Sequence, residues 1–148
     1  MKIALACDPA GLVLLPAVKK VLDEMHVAYE EYGIFENDTT RDYPVFAWRA
    51  ARAVAEGKCD RGIILCGTGV GVSIAANKVK GIRCALLSDL MSAELTRLHN
   101  NTNMMAIGAG VVGENLALAI IDKWLTTPFS GEERHRRRID KMMALEKE

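Results

Sequence analysis

RGIILCGTGVGVSIAANK, Arg61 to Lys78, runs from an apolar stretch ending at Cys66, through Gly67-Thr68-Gly69-Val70-Gly71, into small and apolar residues from Val72 to Lys78. This is the pattern of a strand, a glycine loop and a helix. The same alternation continues on both sides. Upstream, Lys2 to Cys7 reads as a strand ended by Asp8-Pro9-Ala10-Gly11, and Leu12 to Met25 repeats apolar residues at helical spacing. Pro16 is tolerated only in a first turn, so the regular helix is expected from about Leu15. Val27 to Gly33 reads as a second strand, and Asp42 is the expected cap of an Ala-rich helix from about Pro44 to Glu56. Downstream, Ile82 to Leu87 and Asn103 to Ile107 read as strands four and five. Between them a helix capped by Ser88 or Asp89 reaches about Leu98. Helices from Gly113 to Leu125 and from Gly131 to Glu146 complete the chain.

Strands that alternate with helices over short connections predict a five-stranded parallel sheet covered by helices on both faces, because each crossover must return the chain to the same sheet end. No internal repeat or linker divides the chain, so residues 1–148 are expected to form one domain. In such a sheet ligands bind beyond the strand C-termini, where Asp8 to Gly11, Cys66 to Gly71 and Ser88-Asp89 all fall.

Composition narrows the function. Half of the 148 residues are hydrophobic, and 19 Lys and Arg balance 19 Asp and Glu, so no overall field draws the chain to nucleic acid or to an anionic membrane. MKIALACD turns polar too soon for a signal peptide and no later segment matches a membrane span, so a cytoplasmic location is expected. Cys7, Cys59, Cys66 and Cys84 show no metal-ligand spacing and no disulfide pattern; each by default packs as a small hydrophobe, and no metal or cofactor is expected.

The glycine loop points beyond packing. Glycines let backbone N–H groups turn toward an anion at a helix start, yet neither a P-loop nor a dinucleotide fingerprint is present. Cys66 stands directly before those amides, which stabilise a thiolate able to act as a base. His99 heads the polar run His99-Asn100-Asn101-Thr102-Asn103; its bland role is that of a helix-end dipole partner, its chemical role that of an acid or base. Arg134 and Arg138, four apart, share a helix face on which two guanidinium groups can grip one phosphate, whereas Arg136 and Arg137 point elsewhere. The bland reading there is a solvated basic face.

Across nearly its full length the chain resembles the ribose-5-phosphate isomerase B / galactose-6-phosphate isomerase family. The matching segments are CGTGVGVSIAANKVKGIR (Cys66 to Arg83), Ser88-Asp89 with SAELTRLHN ending at Asn100, RDYP (Arg41 to Pro44), NMMAIGAGVVG (Asn103 to Gly113) and GEERHRRR (Gly131 to Arg138). The resemblance implies a Rossmann-like three-layer fold and a homodimer, or dimer of dimers, with active sites shared between subunits and no metal. It implies an aldose–ketose isomerisation of a sugar phosphate in which Cys66 moves the carbon-bound proton. His99 opens the ring with help from Asp8 or Thr68. The amides of Gly67, Gly69, Val70 and Gly71 face the enediolate, Asn100 and Tyr43 line the substrate, and Arg134 and Arg138 hold the phosphate.

Two positions depart from the family pattern: Pro9 replaces the usual His after Asp8, and Gly110 replaces the usual Arg of a Gly-x-Arg. The resemblance places both lost side chains near the far end of the substrate. Ribose 5-phosphate is therefore weighed against hexose or tetrose phosphates and unphosphorylated sugars. A non-catalytic sugar-phosphate-binding protein, or one subunit of a hetero-oligomer, is the reading from another class; retention of Cys66, Thr68 and His99 in one chain speaks against it.

Overall fold

A computed structural model describes residues 1–148. Five strands form one parallel sheet in the order β2-β1-β3-β5-β4: β1 Lys2–Cys7, β2 Ala28–Glu31, β3 Arg61–Cys66, β4 Cys84–Leu86 and β5 Met104–Gly108. Six helices connect or flank them: α1 Leu15–Glu24, α2 Tyr43–Ala55, α3 Val70–Ala76, α4 Leu90–Asn100, α5 Glu114–Thr126 and α6 Glu133–Ala144. Because β2 lies on one side of β1 and β3 on the other, the strand order reverses between β1 and β3. A crevice at the C-terminal sheet edge belongs there.

The central strands are buried on both faces, and their alternation sorts two cores. Ile3, Leu5, Cys7, Ile63, Leu65, Met105 and Ile107 pack with residues of α1, α4 and α5 around Trp124. Ala4, Ala6, Ile64, Cys66, Met104 and Ala106 face the Ala-rich side of α2, together with Val72 and Ala76 of α3. Small residues on strand and helix let α2 lie close to the sheet, while the opposite face holds the bulkier side chains. The expected three-layer Rossmann-like fold is the one observed.

Several boundaries differ from expectation for local reasons. β4 has only three residues because the Ile82 N–H closes a turn on the Val79 carbonyl at 3.2 Å. β2 is confined to Ala28–Glu31 at the sheet edge, since the Val27 N–H is still spent on Leu22 of the preceding helix end. Asp42 occupies the N-cap position of α2 without using its side chain as a cap. Asp89, by contrast, accepts the Ser92 N–H at 2.7 Å and starts α4. That helix runs two residues past Leu98 and stops where Asn101 turns left-handed (φ 44°), so His99 lies in its last turn rather than after it. Gly131 and Glu132 precede α6, which gives way to a 3-10 turn at Leu145–Lys147.

Candidate active site

Cys66 ends β3 with its side chain on the α2/α3 side of the sheet, 5 % exposed. Its Sγ accepts the Gly69 N–H at 2.9 Å. The loop can fold back in this way because Gly69 is left-handed, at φ 78°, where a Cβ would stand 3.1 Å from the backbone of Gly108 and Ile107. Thr68 is exposed and its Oγ1 accepts the Val70 N–H at 3.2 Å. The amides of Gly67, Thr68 and Gly71 have no hydrogen-bond partner within the chain. Free N–H groups of this kind stabilise negative charge that develops beside the sulfur.

The other C-terminal loops close around this one. The Asp8 N–H donates to the Leu65 carbonyl at 3.1 Å, and one Asp8 carboxylate oxygen accepts the Gly11 N–H at 2.9 Å. The turn rests so closely on β3 that a Cβ at Gly11 would stand 2.4 Å from the Leu65 carbonyl oxygen. Pro9 fits as the first residue of this turn. Tyr43, at the start of α2, lays its ring over Gly71, where a Cβ would meet the ring at 2.5 Å. On the far side, the Gly110 N–H donates to the Gly67 carbonyl at 2.9 Å. Asp8, Tyr43, Cys66, Gly67, Thr68, Gly69, Val70 and Gly71 thus form one rim.

His99 and Asn100 are not on it. They end α4, which runs antiparallel to the strands, and Asn101 to Asn103 then lead into the N-terminus of β5. Cys66 pairs in register with Gly108 at the other end of that strand. Five residue steps separate the two levels, on the order of 16 Å along the sheet at about 3.3 Å per residue. Arg83, just before β4, confirms the placement: its guanidinium donates to the carbonyls of Asn100 and Asn101 at 3.0 and 2.8 Å.

Arg134 and Arg138 belong with His99, because α6 packs its His135 ring on the His99 ring with centroids 4.4 Å apart. Both arginines are exposed; Arg134 pairs with Glu132 at 2.8 Å, and Arg138 has neither an ion-pair nor a side-chain hydrogen-bond partner. Arg136 and Arg137 turn away, the first to Phe129 and the Gly131 carbonyl, the second to Glu133. His135 itself was not singled out by the sequence reading. It is 3 % exposed, and burial, reinforced by His99, pushes its pKa below the ordinary histidine value. The available signal was chemical: in a run of arginines, histidine is the one side chain able to shed its charge and be buried.

The sequence pattern of the ribose/galactose isomerases matches residues 3–142. The chain belongs to that family. Among the ribose/galactose isomerases, the ribose-5-phosphate isomerase B of Escherichia coli is 45 % identical to it, over 98 % of this chain and 96 % of its own. A D-erythrulose-4-phosphate isomerase of Mycolicibacterium smegmatis is 38 % identical, over 99 % and 97 %. The structure of ribose-5-phosphate isomerase B from Mycoplasma genitalium with bound ribulose-5-phosphate superposes with a TM-score of 0.92 at 38 % identity, covering 99 % of this chain and 97 % of that one. Family membership makes the chain a sugar-phosphate isomerase. No helix is long and apolar enough to cross a membrane.

Proposed function

We propose that residues 1–148 form a single isomerase domain that interconverts ribose 5-phosphate and ribulose 5-phosphate in the cytoplasm, in pentose phosphate metabolism. The observation that carries this reading is the Cys66 sulfur held by the Gly69 amide, with unpaired loop amides beside it. In the cyclic aldose, His99 takes the proton from the C1 hydroxyl. Its electron pair forms the C1 carbonyl while the bond from C1 to the ring oxygen breaks, and that oxygen gains a proton by way of Asp8 or Thr68. The Cys66 thiolate then removes the C2 proton, and the pair left behind makes the C1–C2 double bond of a cis-enediolate whose charge the loop amides stabilise. A proton passes from O2 to O1, and the thiol returns its proton to C1. Asn100 and Tyr43 orient the substrate, and Arg134 and Arg138 take the phosphate.

In this scheme Cys66 and His99 meet only through a second copy. One chain carries the Cys66 rim at one sheet end and the His99, Asn100, Arg134 and Arg138 group at the other. A two-fold pairing sets each rim against the partner's histidine end and makes two composite sites. The apolar residues flanking the rim support the pairing: Val70, Ile74, Leu86, Leu90 and Met91 are 42 % or more exposed, a surface that association would cover.

A tetrose phosphate is the second reading, favoured by Gly110, which leaves the far side of the rim without a side chain, and by the similarity to a D-erythrulose-4-phosphate isomerase. Turnover of ribose 5-phosphate beside tetrose, allose and galactose phosphates and free sugars, with wild type and Cys66→Ala, decides between them. Loss of all turnover in Cys66→Ala supports the mechanism. An active Cys66→Ala refutes it, and turnover of free sugars alone refutes the phosphate assignment.

A further inference from the structure

α6 is a helix of charged residues with a single fully buried side chain, and that side chain is an imidazole. His135 lies against His99 with the two rings tilted by 41°. It is also fixed from behind: Nδ1 is 2.8 Å from the Ser130 hydroxyl, whose oxygen already accepts the Glu132 N–H at 3.3 Å. A hydroxyl oxygen has two lone pairs, so either atom can donate in this bond; in both tautomers it fixes one edge of the ring, and burial favours the uncharged form. Ser130 is in turn tied to the helix that carries His99, since its N–H donates to the Leu98 carbonyl at 3.2 Å. The charged groups around the pair are Glu132, Arg134 and Arg138, so a second positive charge on His135 would be opposed by His99 and both arginines. A leucine would fill the same space. A neutral ring hydrogen-bonded at one edge fills it in one orientation only.

We propose that His135 is a positioning residue of the ring-opening step: clamped by Ser130, its uncharged ring holds the His99 imidazole in the pose from which it exchanges protons with the sugar. This rests on the reading of His99 as the ring-opening group. His135 touches no substrate in this account and acts only through His99. Fixing the orientation of a proton-transfer group lowers the barrier of its own step and leaves others alone. A defect is therefore confined to the direction that begins with a closed ring. A 2-ketopentose with phosphate on its C5 oxygen cannot close a five-membered ring, so the ketose enters open.

The test is the rate on ribose 5-phosphate as enzyme concentration is raised at saturating sugar, beside the rate on ribulose 5-phosphate and the melting temperature. An enzyme that cannot open rings consumes only aldehyde formed in solution, so its rate curve breaks and flattens. The slope above the break reports opening on the protein. His135→Ala is expected to lower that slope about tenfold while ketose turnover stays within about twofold. His135→Phe, which keeps a ring against His99, is expected to restore most of it. Ser130→Ala, which removes the hydroxyl bonded to Nδ1 and to the Glu132 N–H and little packing, should give a smaller loss and carries the test should His135→Ala not fold. Equal loss in both directions, or a lower melting temperature with an unchanged slope, overturns the proposal. His99→Asn separates the two layers of the argument. If it abolishes the slope while the His135 and Ser130 variants keep theirs, the positioning role alone is wrong; if His99→Asn keeps the slope, the reading of His99 falls and the role of His135 with it.

Discussion

The Gly69 N–H donates to the Cys66 sulfur at 2.9 Å across a loop that only a left-handed residue can close. A Cβ at Gly69 would stand 2.4 Å from the Leu86 side chain and 3.1 Å from the backbone of Ile107 and Gly108, at a φ that costs an L residue about 1–2 kcal/mol. Gly69→Ala is therefore expected to lose about that much stability and to lose at least about tenfold in kcat/KM, because it moves the amide that holds the sulfur. Thermal melts and steady-state rates measure the two effects.

The four cysteines should differ in reactivity. Burial raises the pKa values of Cys7 and Cys59 and pushes that of Cys84 up to about 12, so all three remain neutral thiols near pH 7.5. Cys66 differs in standing at the glycine loop, with the Gly69 N–H on its sulfur and unpaired amides beside it. Iodoacetamide should label Cys66 first, activity should fall in step, and substrate should protect. Peptide mapping that finds Cys84 labelled first contradicts this account.

Arg134 and Arg138 are exposed on one face of α6, whereas Arg136 and Arg137 are engaged elsewhere. A charge-assisted hydrogen bond is worth about 1.5–3 kcal/mol, so Arg134→Ala and Arg138→Ala should each raise KM for a sugar phosphate by about 10- to 150-fold with a smaller change in kcat. Arg136→Ala and Arg137→Ala should remain within about twofold. Equal effects at all four positions would point to a general field rather than a phosphate grip.

His135 also ties stability to pH. Burial holds its folded pKa below the ordinary value of 6.5, so between the two values the unfolded chain binds a proton that the native chain does not. Stability from this group is full above about pH 6.5 and is lost as pH falls through the folded pKa. Melting temperature should drop on acidification from pH 7 in wild type and drop less in His135→Phe, as followed by circular dichroism across that range.

The order of elements was legible because strand runs such as Lys2 to Cys7 and Arg61 to Cys66 are continuous and apolar, as two-sided burial requires. Edge elements were less so: β2 and β4 are short, and backbone turns at Val27 and Ile82 set where they begin. The Cys66 loop was legible as a candidate site through glycines next to a thiol. His135 did not, because its partners, Ser130 and His99, are five and 36 positions away and come together only when α6 packs on α4. The separation of His99 from Cys66 follows from topology alone, since the end of a crossover helix and the end of a strand lie at opposite sheet edges.

That separation gives the most direct test of the composite site. On ribose 5-phosphate, at enzyme concentrations above the point where ring opening in solution limits the rate, Cys66→Ala is expected to be inactive and His99→Asn to gain no further rate from added protein; unfolded and refolded together in equal amounts, they should form about half mixed dimers. In each mixed dimer one site receives intact Cys66 from one chain and intact His99 from the other, so about one quarter of wild-type specific activity should return. Recovery near that level is the predicted result. A mixture no more active than its parents, with mixed dimers demonstrated by mass, would mean that the two residues do not serve one site.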